Sequence, residues 1–240
     1  MKLKLSMFMM GLAVAVAANE KPNVVLFMAD DFGVGSINAY GAPETLLKTP
    51  HLNGLAEAGM RFTQANTPAS VCSPTRYAML TGRYAWRGPL PFGVVNVVDP
   101  MVVETDRMTL PKYMQGMGYQ TAQIGKWHLG YGDKRPVDFT EKLTPGPNDI
   151  GFDYHFGLPQ NLDDMLRVWI ENDGVYGLRS KKMSPYAKSF YGKPYMGFDA
   201  PQRNREEASD VPVSYTHLRA HETVVRISYA VFCLKRGGGG

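Results

Sequence analysis

The chain is poor in cysteine, with two residues in 240. A small disulfide-framed scaffold needs more than that, and at most one bridge, Cys72 to Cys233, is open to it. No apolar run reaches the roughly 18–20 residues needed to span a bilayer. Neither sign of charge dominates: 26 Lys plus Arg stand against 22 Asp plus Glu. There is no internal repeat. With 44% hydrophobic and 20% charged residues, collagen-like, coiled-coil and largely disordered classes are excluded. Asp31-Phe32-Gly33 mimics a kinase motif, but no glycine-rich phosphate loop or His-Arg-Asp segment accompanies it. What remains is ordinary globular composition, long enough for one large or two small domains. The formal net charge of +4 invites a nucleic-acid or membrane-surface reading. That reading holds only if both ends belong to the mature protein.

Neither end reads as fold. The front begins Met-Lys-Leu-Lys-Leu and runs apolar from Met7 to Ala18, broken only by Gly11. It closes on Ala15-Val16-Ala17-Ala18. A basic start, a short apolar stretch and an A-x-A site make a secretory signal, here residues 1–18. The product is expected in an exported compartment, periplasmic or extracellular, with no membrane attachment after cleavage. From Val213 to Thr223 the chain resembles one reading frame of a transposon-type sequencing adapter. Ile227 to Leu234 resembles the flow-cell end of that adapter, and Gly237 to Gly240 a poly-G read-through. Residues 213–240 are therefore expected to be a non-native tail. Without Lys2, Lys4, Arg219, Arg226, Lys235, Arg236 and Glu222, 20 basic and 21 acidic residues remain, a net charge near −1. The nucleic-acid reading then loses its support. Cys72 becomes the lone cysteine, beside three histidines, His51, His128 and His155.

In residues 19–212, strand and helix patterns alternate. Asn23 to Met28 is a continuous apolar run, as a strand buried on both faces of a parallel sheet reads. A helix is expected from Thr49, with Pro50 in its first turn and Gly59 at its end. Met60 to Ala65 reads as a strand, Pro74 to Leu80 as a helix, Thr109 to Gln115 as a helix and Tyr119 to Ile124 as a strand. This predicts an α/β protein with a mostly parallel or mixed sheet flanked by helices. Beyond Tyr131 periodicity is weak, and Arg179 to Lys182 reads as a solvated loop.

Three places carry chemistry. Asp30 and Asp31 end the first strand, at the carboxyl edge where α/β folds place ligands. Like charges 4 Å apart repel by about 4 kcal/mol at an effective dielectric near 20. A hard cation such as Ca²⁺ removes that cost; a solvated turn is the alternative, and the pair alone does not choose between them. Cys72 precedes a helix start that favours anions, and Arg76 in the first turn offers a planar fork to sulfate or phosphate. A buried free thiol beside a structural arginine is the alternative. Lys126 and His128 are two apart in a segment read as extended, so their side chains share one side. His51 is expected at the surface, and His155 and Trp127 in packing.

Cys72-Ser73-Pro74-Thr75-Arg76 followed by Leu80-Thr81-Gly82 resembles the sulfatase signature of the alkaline-phosphatase superfamily. Gly125-Lys126-Trp127-His128-Leu129-Gly130 resembles the family's second signature, and Asp30-Asp31 its first metal pair. The Gly-Phe-Asp-Tyr-x-Phe-Gly-Leu-Pro stretch at 151–159 also looks familial. The resemblance implies an alkaline-phosphatase-like fold, of which 19–212 would be only the N-terminal part. It implies that Cys72 is oxidised to formylglycine by a maturation enzyme that reads Cys-x-Pro-x-Arg. Once hydrated, the aldehyde offers one hydroxyl to attack sulfur and expel the alcohol. Its second hydroxyl then loses a proton, the aldehyde re-forms and sulfate leaves. Asp30, Asp31 and the modified Cys72 would hold Ca²⁺, in preference to Mg²⁺. Arg76 and His128 would hold the formylglycine and Lys126 the sulfate, as preorganised groups around a developing anion.

The expected activity is hydrolysis of a sulfated small molecule or glycan. Alternatives are a phosphatase or phosphonate hydrolase of the same superfamily, or a non-catalytic binding protein. The family's later histidine, lysine and second acidic metal ligand have no counterpart here, and Asn161, Asp163 and Asp164 are not assigned to fill the gap. The truncated chain by itself is expected to be inactive.

Overall fold

The computed structural model describes residues 21–161, 168–176 and 227–235. The expected signal segment, Asp163, Asp164, Arg179 to Lys182 and the expected tail apart from 227–235 lie outside these residues.

The described residues build a six-stranded mixed sheet with three α-helices. The strands are β1 (Val24–Ala29), β2 (Tyr119–Lys126), β3 (Tyr154–Leu158), β4 (Ile170–Glu171), β5 (Gly174–Val175) and β6 (Ile227–Lys235). Their order in the sheet is β1-β6-β2-β3-β4-β5. β2 and β3 pair parallel, while β6 is antiparallel to both β1 and β2. It follows that β1, β2 and β3 run the same way, and their carboxyl ends share one edge. That edge is where the chemistry collects.

Several expected elements form where the sequence places them. Helix α1 (Pro50–Ala58) has Pro50 in its first turn, and at its end the Gly59 N–H donates to the Leu55 carbonyl at 3.0 Å. Helix α3 (Leu110–Gly116) is capped by Thr109, whose hydroxyl accepts from the Lys112 N–H at 3.4 Å. β2 extends the predicted strand by two residues. Helix α2 (Cys72–Thr81) begins two residues before the predicted start at Pro74. Pro74 sits in its first turn, where a missing N–H costs nothing. Gly82 ends the helix at φ 64, donating its N–H to the Ala78 carbonyl at 2.8 Å.

Other expectations fail. Met60 to Ala65 is irregular and exposed, with Met60 and Phe62 among the most accessible apolar residues. A strand needs a neighbour for its backbone groups, and no described strand runs beside this one. β1 is not buried on both faces: Leu26 and Met28 pack on the core, while Val25 and Phe27, on the other face, are exposed. None of the described elements covers that second face. β3 to β5 went unread because their strands are short and end in loops without alternation.

The core is supplied largely by the loop after β2. Trp127, Leu129, Tyr131, Phe139, Leu143, Ile150 and Phe152 are all essentially inaccessible. Trp127 stays satisfied by donating Nε1–H to the Gly130 carbonyl at 2.7 Å. Two glycines let β2 and β3 meet: Gly125 and Gly157 are register partners, and a Cβ on Gly157 would stand 2.0 Å from the Gly125 oxygen.

His155 lies wholly buried against Trp127, with ring centroids 6.0 Å apart. Its Nε2 lies 2.9 Å from the Tyr131 hydroxyl, and its Nδ1 meets Gln123 Oε1. The neutral ring satisfies both: Nδ1–H donates to Gln123 while Nε2 accepts from Tyr131. Burial pushes its pKa down to about 3, from 6.5. As pH falls, the unfolded chain takes this proton before the folded one does. Stability is therefore complete above about pH 6.5 and declines below it, by about 1.4 kcal/mol per pH unit. Replacing His155 by Gln should flatten the denaturation midpoint between pH 6.5 and 4. An unchanged pH slope would show that another group is responsible.

Candidate active site

Three elements deliver the candidate residues to one place. Asp30 and Asp31 follow β1 directly, Lys126 is the last residue of β2, and Cys72 and Arg76 stand one turn apart on α2. The Asp30 carboxylate joins them. Its Oδ2 lies 2.6 Å from Lys126 Nζ and 3.5 Å from Arg76 Nη2. Arg76 also donates Nη1–H to the Lys126 carbonyl at 2.7 Å. These groups are nearly out of solvent, with side-chain exposures of 1% for Arg76, 6% for Lys126 and 16% for Asp30. Burial raises the Asp30 pKa, but the hydrogen bond and charge of Lys126, with the charge of Arg76, outweigh it and hold the group below its ordinary value.

His128 joins this cluster by a different route from the one the spacing suggests. Its φ is 59, left-handed, so strand alternation with Lys126 stops there. The β2–β3 pairing nevertheless runs on past the strands: Trp127 N–H donates to Leu158 O at 2.8 Å and His128 N–H to Pro159 O at 2.9 Å. The ring is buried and bonds to the Val95 backbone. Burial, with the charges of Lys126 and Arg76, drives its pKa down to about 3, so it is neutral at physiological pH. Its Nδ1 is buried with no hydrogen-bond partner among the described residues. An orphaned acceptor nitrogen beside two buried cations suits an incoming hydroxyl, which can donate to it.

Cys72 is a half-buried free thiol one turn before Arg76, and Asp31 is exposed at φ 53. A non-glycine residue in the left-handed region marks strain of the kind found at functional sites. The carboxylate oxygens of Asp30 and Asp31 are of the kind a hard cation takes, and would be two of the about six to eight ligands of Ca²⁺. Among the described residues no group of three His, Cys, Asp or Glu side chains gathers to complete such a site. The fit is therefore partial. His51 is exposed in the first turn of α1, away from this cluster's contacts.

Sequence reasoning missed three supporting residues. Asn161, left unassigned, accepts from Lys126 Nζ through Oδ1. Ser73 Oγ accepts the Val95 N–H at 3.0 Å, and Gln160 Nε2 donates to the Val95 carbonyl at 2.8 Å. No spacing rule joins positions 73, 95 and 160; only the fold does.

Arg76→Met would leave the Asp30 charge with one cation and the Lys126 carbonyl with only the longer bond from Gln123 Nε2, at 3.4 Å. Breaking one partner of a buried ion pair costs about 3–5 kcal/mol. Urea denaturation should show a loss of that size. A loss below about 1 kcal/mol would mean that Lys126 holds Asp30 unaided.

A family model described as sulfatase matches residues 22–196. The chain is 38% identical over 160 residues to an N-acetylgalactosamine-6-O-sulfatase of Bacteroides thetaiotaomicron, covering 67% of this chain and 31% of that protein. It is 42% identical over 154 residues to arylsulfatase A of Bos taurus, covering 64% and 28%. A solved structure described under metabolism of multiple glycosaminoglycans by Bacteroides thetaiotaomicron superposes with TM-score 0.59 at 38% identity, covering 63% of this chain and 31% of that one. The chain belongs to the sulfatase family. It spans about a third of the length of these relatives.

Proposed function

We propose that the enzyme carrying this chain hydrolyses sulfate esters of glycans, with Cys72 converted to formylglycine and Ca²⁺ assisting. The observation that carries this reading is the convergence of Arg76, Lys126 and neutral His128 on Asp30, one helical turn from Cys72. Two buried cations against one buried carboxylate leave an excess of positive charge. A sulfate ester carries the matching anion, and a preorganised cationic site stabilises charge that develops as the ester bond breaks. Relatives that are named N-acetylgalactosamine-6-O-sulfatase and arylsulfatase A support the substrate class.

In this reading Lys126 orients a sulfate oxygen. Arg76 offsets charge near position 72. The buried Nδ1 of His128 holds a hydroxyl at that position. Hydrated formylglycine at position 72 would supply the oxygen nucleophile that a thiol cannot. Asp30 and Asp31 would hold Ca²⁺, with further ligands from outside the described residues. A formylglycine-generating enzyme is the partner that would read Cys72 to Arg76. Export to the periplasm or beyond, after loss of residues 1–18, follows from the basic and apolar front. Among the described residues no helix is long and apolar enough to cross a membrane.

Peptide mapping across Cys72, in full-length enzyme produced with a maturation enzyme, should show a loss of about 18 Da, since CH₂SH becomes CHO. Cys72→Ala should lower turnover of sulfate esters by at least about a thousandfold. Unmodified Cys72 with activity on phosphate esters would reject the reading in favour of a phosphoryl-transfer relative. Unmodified Cys72 with no turnover at all would favour a non-catalytic protein.

We also propose that residues 19–212 are the N-terminal part of that enzyme and that 213–240 are not native to it. Ile227–Lys235 pairs with β1 and β2, yet ladder hydrogen bonds are made by backbone and accept any apolar strand former. The coding DNA over Val213 to Thr223 should carry the adapter's codons. Any other codons there would overturn the assignment.

A further inference from the structure

One loop is fixed to the site and has no role in the chemistry described. Leu90 and Val95 are buried at its two ends, at 8% and 2% exposure. Between them Phe92 is 85% exposed and Val94 40%. Gly93 turns the loop at φ 77, with open space around its Cα. The Val95 peptide is held from three sides: by Ser73, the neighbour of Cys72; by Gln160, the neighbour of Asn161; and by the His128 ring. The loop is thus tied to both signature motifs of the site. Three residues span at most about 11 Å, so the Phe92 Cα lies within that distance of the Val95 Cα.

We propose that the loop Leu90–Val95 is the wall that receives the organic part of the sulfate ester, and that Phe92 is its stacking residue for a sugar ring. This rests on the sulfatase reading above. The buried cations Arg76 and Lys126 take the anionic end of the ester. The organic end must then extend toward solvent, past groups the site holds rigidly. An aromatic face offers a large, rigid surface to the C–H face of a pyranose. Recognition concentrates on loops anchored to a scaffold, and Phe92 at 85% is the most exposed large apolar residue among those described.

The test uses the full-length enzyme with Cys72 matured, a sulfated glycosaminoglycan disaccharide as substrate and inorganic sulfate as inhibitor. Phe92→Ala should raise KM for the disaccharide roughly tenfold, the scale of a lost apolar contact. Its kcat, melting temperature and inhibition by inorganic sulfate should stay as in the parent, because sulfate reaches only the cationic pocket. Phe92→Tyr should restore KM. An unchanged KM in Phe92→Ala overturns the proposal. So does a variant that melts earlier and loses sulfate inhibition in parallel, which marks a structural role. Parent enzyme that turns over no sulfate ester would defeat the sulfatase reading itself; active parent with an indifferent Phe92→Ala defeats only the loop assignment.

Discussion

The site depends on one carboxylate. Asp30 Oδ2 receives Lys126 from the end of β2 and Arg76 from α2, and so fixes three elements against one another at the sheet edge. Buried ion pairs lose much of their Coulomb attraction to desolvation. Here the pairs still prevail, since Asp30 stays more acidic than usual despite its burial. The arrangement is unbalanced in charge, and the imbalance has a visible effect nearby. The same two cations, with burial, keep His128 neutral. Neutral imidazole leaves one ring nitrogen able to accept, which a protonated ring could not do.

Backbone geometry reinforces this centre. Asp31 and His128 both adopt left-handed φ values, at the ends of the two parallel strands that meet the site. Each makes the chain leave its strand abruptly. Trp127, still on the β2–β3 ladder, points into the core and is wholly buried, while its neighbours Lys126 and His128 belong to the Asp30 cluster. The glycines around them permit close approach: Gly130 lies so near the Pro100 carbonyl that a Cβ would be 2.1 Å away. Packing and chemistry thus alternate along one short segment, and neither could shift without moving the other.

β6 occupies the position between β1 and β2, so the parallel relation of those strands is transmitted through an antiparallel neighbour. Cross-strand backbone bonding needs an extended partner and says little about which residues supply it. The outward face of β1 remains exposed, with Phe27 at 60%. A strand read as doubly buried from its composition is, in this chain, covered on one side.

The sequence by itself determined the local features. Pro50 and Thr109 marked helix starts, Gly59 and Gly82 marked helix ends, and the run before Asp30 marked a strand, because these rest on backbone preferences within a few residues. The motifs around Cys72 and Lys126 also identified the family without any coordinates. Tertiary structure alone decided the rest. It showed that Met60 to Ala65 has no strand partner among the described residues, that His128 reaches the site through a left-handed turn, and that Ser73, Val95, Gln160 and Asn161 support the cluster. Those contacts join residues tens of positions apart. Their energy comes from desolvated charge and from hydrogen bonds that exist only once the sheet edge and α2 have met, and no local pattern records that meeting.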